Sequence, residues 1–199
     1  MKKRIITISR EYGSGGRLVG SLVAEKLGVA FYDKALVKHV ADETGFHEKY
    51  IEQQGEYAPT KSLFGFAMTA KGSAGAMNGL SANDYLWITQ SDVITQLVEK
   101  EPCVIVGRCA DYILRDRDDV FNVFIHASYT ARAKRIREEY GDETENTQAL
   151  LEDKDKKRKV YYKHYTGREW GRFQNYDLAL NTETIGLERC VDIICGIVK

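Results

Sequence analysis

The residues best suited to chemistry come first in this chain: Ser9-Arg10-Glu11-Tyr12-Gly13-Ser14-Gly15-Gly16-Arg17, between the apolar run Ile5-Ile6-Thr7-Ile8 and a helical pattern from Leu18 to Leu27. A buried strand that turns through a Gly/Ser loop into a helix gathers backbone N–H groups and a helix N-terminus around one point, and that point suits a phosphate. Gly13, Gly15 and Gly16 carry no Cβ where the backbone must curl against an anion, Ser14 lies among them, and Arg17 places a cation at the helix mouth.

The usual phosphate-loop pattern is G-x-x-x-x-G-K-[ST], and the chain departs from it in three places. Counting back from Gly16, the first glycine is Glu11, the lysine is Arg17, and the hydroxyl residue is Leu18, or Val19 where the motif carries one more glycine. A Gly-rich strand-to-helix turn without a ligand satisfies the same segment.

Further cations stand at the ends of elements. Gly107-Arg108 directly follows an apolar strand, at the sheet edge where ligands bind in α/β folds, and Arg132 and Arg135 follow the strand that ends in His126-Ala127-Ser128. In the charged run Leu151 to Lys159, helical spacing puts Leu151, Asp155 and Arg158 on one face and aligns Lys154 with Arg158. Arginines gathered beside a phosphate loop are what phosphoryl transfer requires; a solvated helix laced with ion pairs gives the same pattern.

The elements that must position these groups alternate. Strand-like runs fall at Ile5 to Ile8, Ala30 to Tyr32, Cys103 to Val106, Asn122 to Ile125 and Leu178 to Asn181, with helical patterns between them, which reads as an α/β domain with a mostly parallel sheet. Helix starts are expected at Asp33, Asn83 and Ser128, stops at Gly45, near Pro102 and at Gly141, and a last helix from Leu187 to Val198. Two segments break the regularity. Tyr57 to Ala82 is rich in Gly, Ala and Ser, which suggests a lid, a partner contact or disorder, and the polar linker Asp142 to Asn146 leads into the charged helix. Phe64, Phe66, Tyr85 and Trp87 could stack on a base or simply anchor their loops.

The 199 residues fit one domain, and equal numbers of acidic and basic residues, 29 of each, remove any bulk attraction to nucleic acid or a membrane. The start, Met1-Lys2-Lys3-Arg4 and four apolar residues, is too short for a signal peptide, and Cys103, Cys109, Cys190 and Cys195 lack zinc-site spacing, so a cytoplasmic protein with reduced, buried thiols is expected.

In order, the loop motif, Phe31-Tyr32-Asp33-Lys34, Val104-Ile105-Val106-Gly107-Arg108, Arg132-Ala133-Lys134-Arg135, Asp153 to Arg158 and Tyr176 to Thr182 resemble the cytidylate kinase-like family of P-loop nucleoside monophosphate kinases. The resemblance implies a five-stranded parallel sheet flanked by helices, one domain over residues 1–199, an acceptor-binding insertion near 45–90 and a helical lid near 142–165. It also implies ATP and Mg2+, with Gly13 to Arg17 on the donor phosphates. Asp33 would place the acceptor and hold the metal through water, a role Glu11 could share. Arg108 and Arg158 would contact the acceptor monophosphate, Asp155 its ribose, and Arg132 and Lys154 would be lid cations. Arg17, Arg108, Asp155 and Arg158 then carry catalysis, and Gln90 falls near another acceptor contact by spacing.

Typical cytidylate kinases carry Asp on both sides of the Gly-Arg pair, where this chain has Val106 and Cys109. Three readings stay open: a nucleoside monophosphate kinase with cytidylate as first choice, the same chemistry on another small metabolite, and a nucleotide-binding regulatory module without turnover. Oligomeric state is not legible.

Overall fold

Short runs of Ile and Val become buried parallel strands because helices cover both faces of the sheet. The computed structural model describes residues 3–55, 80–139 and 146–199. Among these, β1 (Ile5–Arg10), β2 (Ala30–Tyr32), β3 (Cys103–Val106), β4 (Val120–His126) and β5 (Leu178–Asn181) form a five-stranded sheet in the order β2-β3-β1-β4-β5, every pair parallel. The helices are α1 (Gly16–Leu27), α2 (Lys34–Thr44), α3 (Glu48–Gln54), α4 (Ala82–Lys100), α5 (Ala110–Ile113), α6 (Tyr129–Glu139), α7 (Thr147–Thr166), α8 (Thr182–Ile185) and α9 (Leu187–Val198).

Strand alternation divides the core. Ile6, Ile8, Val104 and Val106 face α1 and α9, packing with Val19, Val23 and Ile194. Ile5, Cys103 and Ile105 face the other way, against Leu36, Val40 and Ile94 of α2 and α4. Because β2 and β3 lie on one side of β1 and β4 and β5 on the other, the chain leaves β1 at a topological switch, where open α/β sheets bind ligands.

Several boundaries differ from expectation. β1 continues to Arg10, and α1 begins at Gly16 instead of Leu18. α4 is capped by Ser81, whose Oγ accepts the Asp84 N–H; Asn83 lies inside the first turn and accepts a hydrogen bond from the Tyr50 hydroxyl. Asp33 occupies the N-cap position of α2 without making a side-chain cap, because its carboxylate is committed to Arg17. The helix α3, capped by the His47 ring, was not expected. Residues 57–79 of the Gly/Ala-rich segment, with Phe64 and Phe66, and the 142–145 part of the linker lie outside the described residues. Tyr85 packs edge-on against Phe46, and Trp87 stacks on Tyr165 at 4.5 Å, so both act as anchors between helices. Among the described residues no helix is long and apolar enough to cross a membrane. The four cysteines are free and buried.

Candidate phosphate-binding and transfer site

The loop between β1 and α1 owes its shape to glycines with distinct duties. Gly13 (φ +76°) and Gly15 (φ +81°) are left-handed, and a Cβ on Gly15 would stand 2.6 Å from Leu187 Cδ2. Around the loop lies a cleft of about 630 Å3, lined by Gly13, Gly15, Gly16, Arg17 and Arg158, with Arg10, Glu11 and Phe31 on its walls. Ser14 is an exception: fully buried, it donates from Oγ to the Glu11 carbonyl at 2.8 Å, so its hydroxyl points away from the cleft.

Side chains from three other elements hold the loop from outside. Arg135 of α6 donates to the Gly13 carbonyl at 2.9 Å, and Thr182 of α8 donates to the Ser14 carbonyl at 2.7 Å. In a trans peptide the C=O and N–H point opposite ways, so Thr182 turns the Gly15 N–H away from itself. Asp155 of α7 accepts the Tyr12 N–H at 2.8 Å and pairs with Arg132 at 2.6 Å; Arg132 also donates to the Tyr12 carbonyl. Glu11 accepts the Ala127 N–H at 3.3 Å and lies 3.5 Å from Arg132 Nε. Asp155 and Arg132 border a separate cavity of about 390 Å3 on the outer side of the loop, whereas Arg158 enters the main cleft and donates to the Arg10 carbonyl at 3.0 Å. Lys154 Nζ lies 5.8 Å from the Tyr12 ring centroid.

Arg17 pairs with Asp33 at 2.5 Å, and its side chain is 54% exposed. An ion pair in that much solvent contributes about 0–1 kcal/mol, so moving the guanidinium onto a phosphate costs little.

On the other flank, β3 ends in three consecutive left-handed residues, Gly107 (φ 71°), Arg108 (φ 58°) and Cys109 (φ 54°). The two that are not glycine cost about 1–3 kcal/mol each, which the surroundings must offset. Arg108 is buried and donates from Nη1 to the Ile51 carbonyl at 3.0 Å and to Gln90 Oε1 at 3.2 Å; Gln90 is fully buried and donates to the Tyr161 hydroxyl at 3.4 Å. Gly55 makes room for this arrangement, since a Cβ there would lie 1.7 Å from Arg108 Nη1. Between Arg108, Tyr161, Tyr162 and Trp170 remains a cavity of only about 20 Å3. Behind it the Tyr162 hydroxyl donates to Asp111 at 2.6 Å; burial pushes the Asp111 carboxyl up to about 6, against the opposing pull of that hydrogen bond.

The donor set therefore fits a polyphosphate: a glycine loop packed so closely on Arg132, Leu187 and Arg10 that a Cβ would force it out of shape, a helix N-terminus, and the cations Arg17 and Arg158. For Mg2+ the fit is looser. Asp33 offers a partly exposed carboxylate oxygen, Ser14 Oγ is turned away, and the described residues contain no group of three or more metal-binding side chains, so the ion would sit among phosphates, water and Asp33.

Arg10, Thr182 and Gly55 were not singled out by the sequence pattern, and Arg135 was grouped with the phosphate-binding cations. Thr182 entered only as the last residue of the motif Tyr176 to Thr182, and Arg10 only as part of the loop motif Ser9 to Arg17.

A model of the cytidylate kinase-like family matches residues 5–184, a span that holds every strand and every site residue named above. The chain belongs to the cytidylate kinase-like family. It is thereby a member of the P-loop superfamily of nucleoside monophosphate and small-molecule kinases, whose members typically use ATP and Mg2+. Within the family it is similar to a cytidylate kinase of Methanoculleus marisnigri, 28% identical over 94 residues, which is 47% of this chain and 51% of the relative. The match thus spans about half the length of that curated relative. An uncharacterized protein from Eubacterium ventriosum has a crystal structure that superposes with a TM-score of 0.72 at 27% identity, covering 98% of this chain and 97% of that one. Shikimate kinase from Acinetobacter baumannii, in complex with shikimate, shares the fold at a TM-score of 0.54 and 16% identity, over 98% and 92% of the two chains.

Proposed function

We propose that this protein transfers the terminal phosphoryl group of ATP to a nucleoside monophosphate, with cytidylate the first candidate. The observation that carries this reading is the cleft of about 630 Å3 in which the glycine loop, Arg17 and Arg158 converge, while the nearby carboxylate of Glu11 is engaged by the Ala127 N–H. Loop amides and the start of α1 hold the donor phosphates. Arg17 leaves Asp33 for the phosphates. Arg108 and Gln90 receive the acceptor phosphate by exchanging the Ile51 carbonyl and each other for its oxygens. The bond between the β,γ-bridging oxygen and the γ-phosphorus breaks, its electron pair leaving with ADP, as an acceptor phosphate oxygen bonds to that phosphorus. The acceptor is already an ionised phosphate and requires no general base.

Catalysis in this scheme is alignment and charge neutralisation, with α7 as a lid that excludes water. Asp155, bound to Tyr12 and Arg132, acts by holding the loop; Arg132 and Lys154 approach it from outside. Asp33 would hold Mg2+ through water beside the phosphates, where the ion would supply charge neutralisation on their oxygens. The acceptor-binding insertion would span about residues 45–90, of which α3 and the start of α4 are described.

A specific observation favours a second acceptor class. Of the two positions where typical cytidylate kinases carry Asp, Cys109 lines the cavity beside Arg108 while Val106 is buried in the sheet core against α1, and aromatic side chains close that cavity to about 20 Å3. Another small phosphorylated or hydroxyl metabolite would suit such a wall. ADP release with ATP and Mg2+, followed against cytidylate, uridylate, their deoxy forms, adenylate and guanylate, separates the readings. Turnover with one pyrimidine nucleotide supports the first; silence across the panel with measurable ATP binding overturns it.

A further inference from the structure

Tyr161 stands on α7 beside the cavity next to Arg108, and its hydroxyl carries a proton that the surrounding side chains do not take up. The side chain is 4% exposed, its ring edge-on to Trp87 and tilted against Tyr165. The Tyr161 oxygen accepts from Gln90 Nε2 at 3.4 Å. That amide is fixed in orientation, because Gln90 Oε1 accepts from Arg108 Nη1 and the reverse placement would set an N–H group against a guanidinium. Among the described residues none accepts the Tyr161 O–H. Burial pushes this phenol well above its ordinary pKa, so the proton stays on the oxygen at neutral pH. A buried hydroxyl proton without an acceptor costs free energy, which a ligand atom that accepts it would recover.

A second hydroxyl meets the same space. Ser9, 7% exposed, lines this cavity of about 20 Å3 together with Tyr161, Arg108 and Trp170. Its oxygen accepts from Trp170 Nε1 at 3.2 Å, since an indole N–H only donates, and from the Tyr176 hydroxyl at 3.4 Å, which itself accepts the Gly171 N–H. With both lone pairs of Ser9 engaged, its own proton is left for the cavity. No acidic side chain is among the described residues that line it, and its volume suits a single oxygen. It shares Arg10 and Arg158 with the wall of the phosphate cleft, so an oxygen seated there belongs to a group next to the donor phosphates.

We propose that this cavity seats one oxygen of the acceptor's phosphate, with the hydroxyls of Tyr161 and Ser9 as its donors, which makes Tyr161 a substrate-binding residue. The inference rests on the kinase reading above and narrows it: a cavity of donors selects an acceptor that brings an anionic oxygen over one that brings a neutral hydroxyl.

The test is calorimetric titration of inorganic phosphate into protein saturated with Mg2+ and an ATP analogue whose β,γ-bridging oxygen is replaced by nitrogen, so that the donor cleft is filled and nothing is transferred. Wild type, Tyr161→Phe and Ser9→Ala are compared, with analogue affinity and thermal midpoint measured alongside. Phosphate affinity should fall about tenfold or more in Tyr161→Phe, the loss of one hydrogen bond to a charged group, while analogue affinity changes less than about threefold. Unchanged phosphate affinity, whatever happens to the thermal midpoint, is the result for a hydroxyl that serves packing or a single water, and it overturns the role. Equal losses of phosphate and analogue, or a donor-loaded wild type that takes up no phosphate, overturn it as well. Should Tyr161→Phe not fold, Ser9→Ala, expected to lose about fivefold in phosphate affinity alone, decides by the same comparison. A wild type that does not bind the analogue brings down the kinase reading itself, an outcome visible before any variant is made.

Discussion

The donor and acceptor flanks of the cleft are built from opposite materials. On the donor flank the loop backbone and the cations Arg17 and Arg158 line the cleft, while other side chains brace the loop from outside: Arg135 on Gly13, Thr182 on Ser14, Asp155 on Tyr12. On the acceptor flank the ligand-facing groups are buried side chains that satisfy one another, Arg108 with Gln90 and Gln90 with Tyr161, over a left-handed stretch of backbone. A braced backbone cradle can receive an anion without rearranging. A self-satisfied side-chain network must exchange partners when its ligand arrives, and a change in its members changes the ligand it accepts.

Four perturbations break or sharpen this contrast. The largest effect is expected from Arg17→Ala, which removes the cation at the helix mouth: turnover should fall about 100- to 1000-fold in a coupled ADP-release assay, with the thermal midpoint nearly unchanged because Arg17 is half exposed. A binding module without turnover would lose only affinity. Next is Gln90→Leu, which leaves buried Arg108 short of an acceptor. The acceptor KM should rise about 10- to 100-fold while the KM for ATP holds steady, and a parallel rise in both would erase the division between flanks.

Asp111 offers a pH test of the acceptor wall. Its pKa, raised from 3.8 to about 6 by burial, means the folded state holds the proton more tightly than the unfolded chain. That contribution is complete below the ordinary carboxylate range and is lost as pH rises through about 6. Between pH 7 and pH 4 the wild type should therefore gain stability over Asp111→Asn, on the order of 2 kcal/mol by urea denaturation. The smallest effect belongs to Thr182→Val. Losing one brace on the Ser14 carbonyl should cost about 1 kcal/mol in stability and raise the KM for ATP, leaving the acceptor KM unmoved.

Local pattern revealed most of the architecture. Ala30–Tyr32, Cys103–Val106, Leu178–Asn181 and the last helix, Leu187–Val198, match their expected bounds, because a buried strand reads as an apolar run and a surface helix as a 3.6-residue period. The α3 helix escaped because its seven residues carry too few turns for a period to emerge, and its cap is a histidine ring. In the site, the glycine loop was legible as a loop, since positive φ and close approach leave a composition signature. Gly16 was read as a cradle residue, yet its neighbour is Arg10, and that crowding comes from a bend of the backbone that composition does not record. Asp33 looked like a helix cap and forms an ion pair across the cleft mouth instead, a choice between two acceptable partners.

By itself the sequence determined that a strand, a glycine turn and a helix would meet at one anion-sized point, and that arginines would be spaced to approach it. These are consequences of short-range sterics and of periodicity, which depend on neighbours in the chain. Which arginine faces the ligand and which braces the loop was decided only by tertiary structure. Arg132, Arg135 and Arg158 carry the same charge and similar spacing, but Arg135 ends on a carbonyl, Arg132 on Asp155, and Arg158 in the cleft. The guanidinium is long and takes any acceptor within reach, so its role is set by which groups the packed helices bring there.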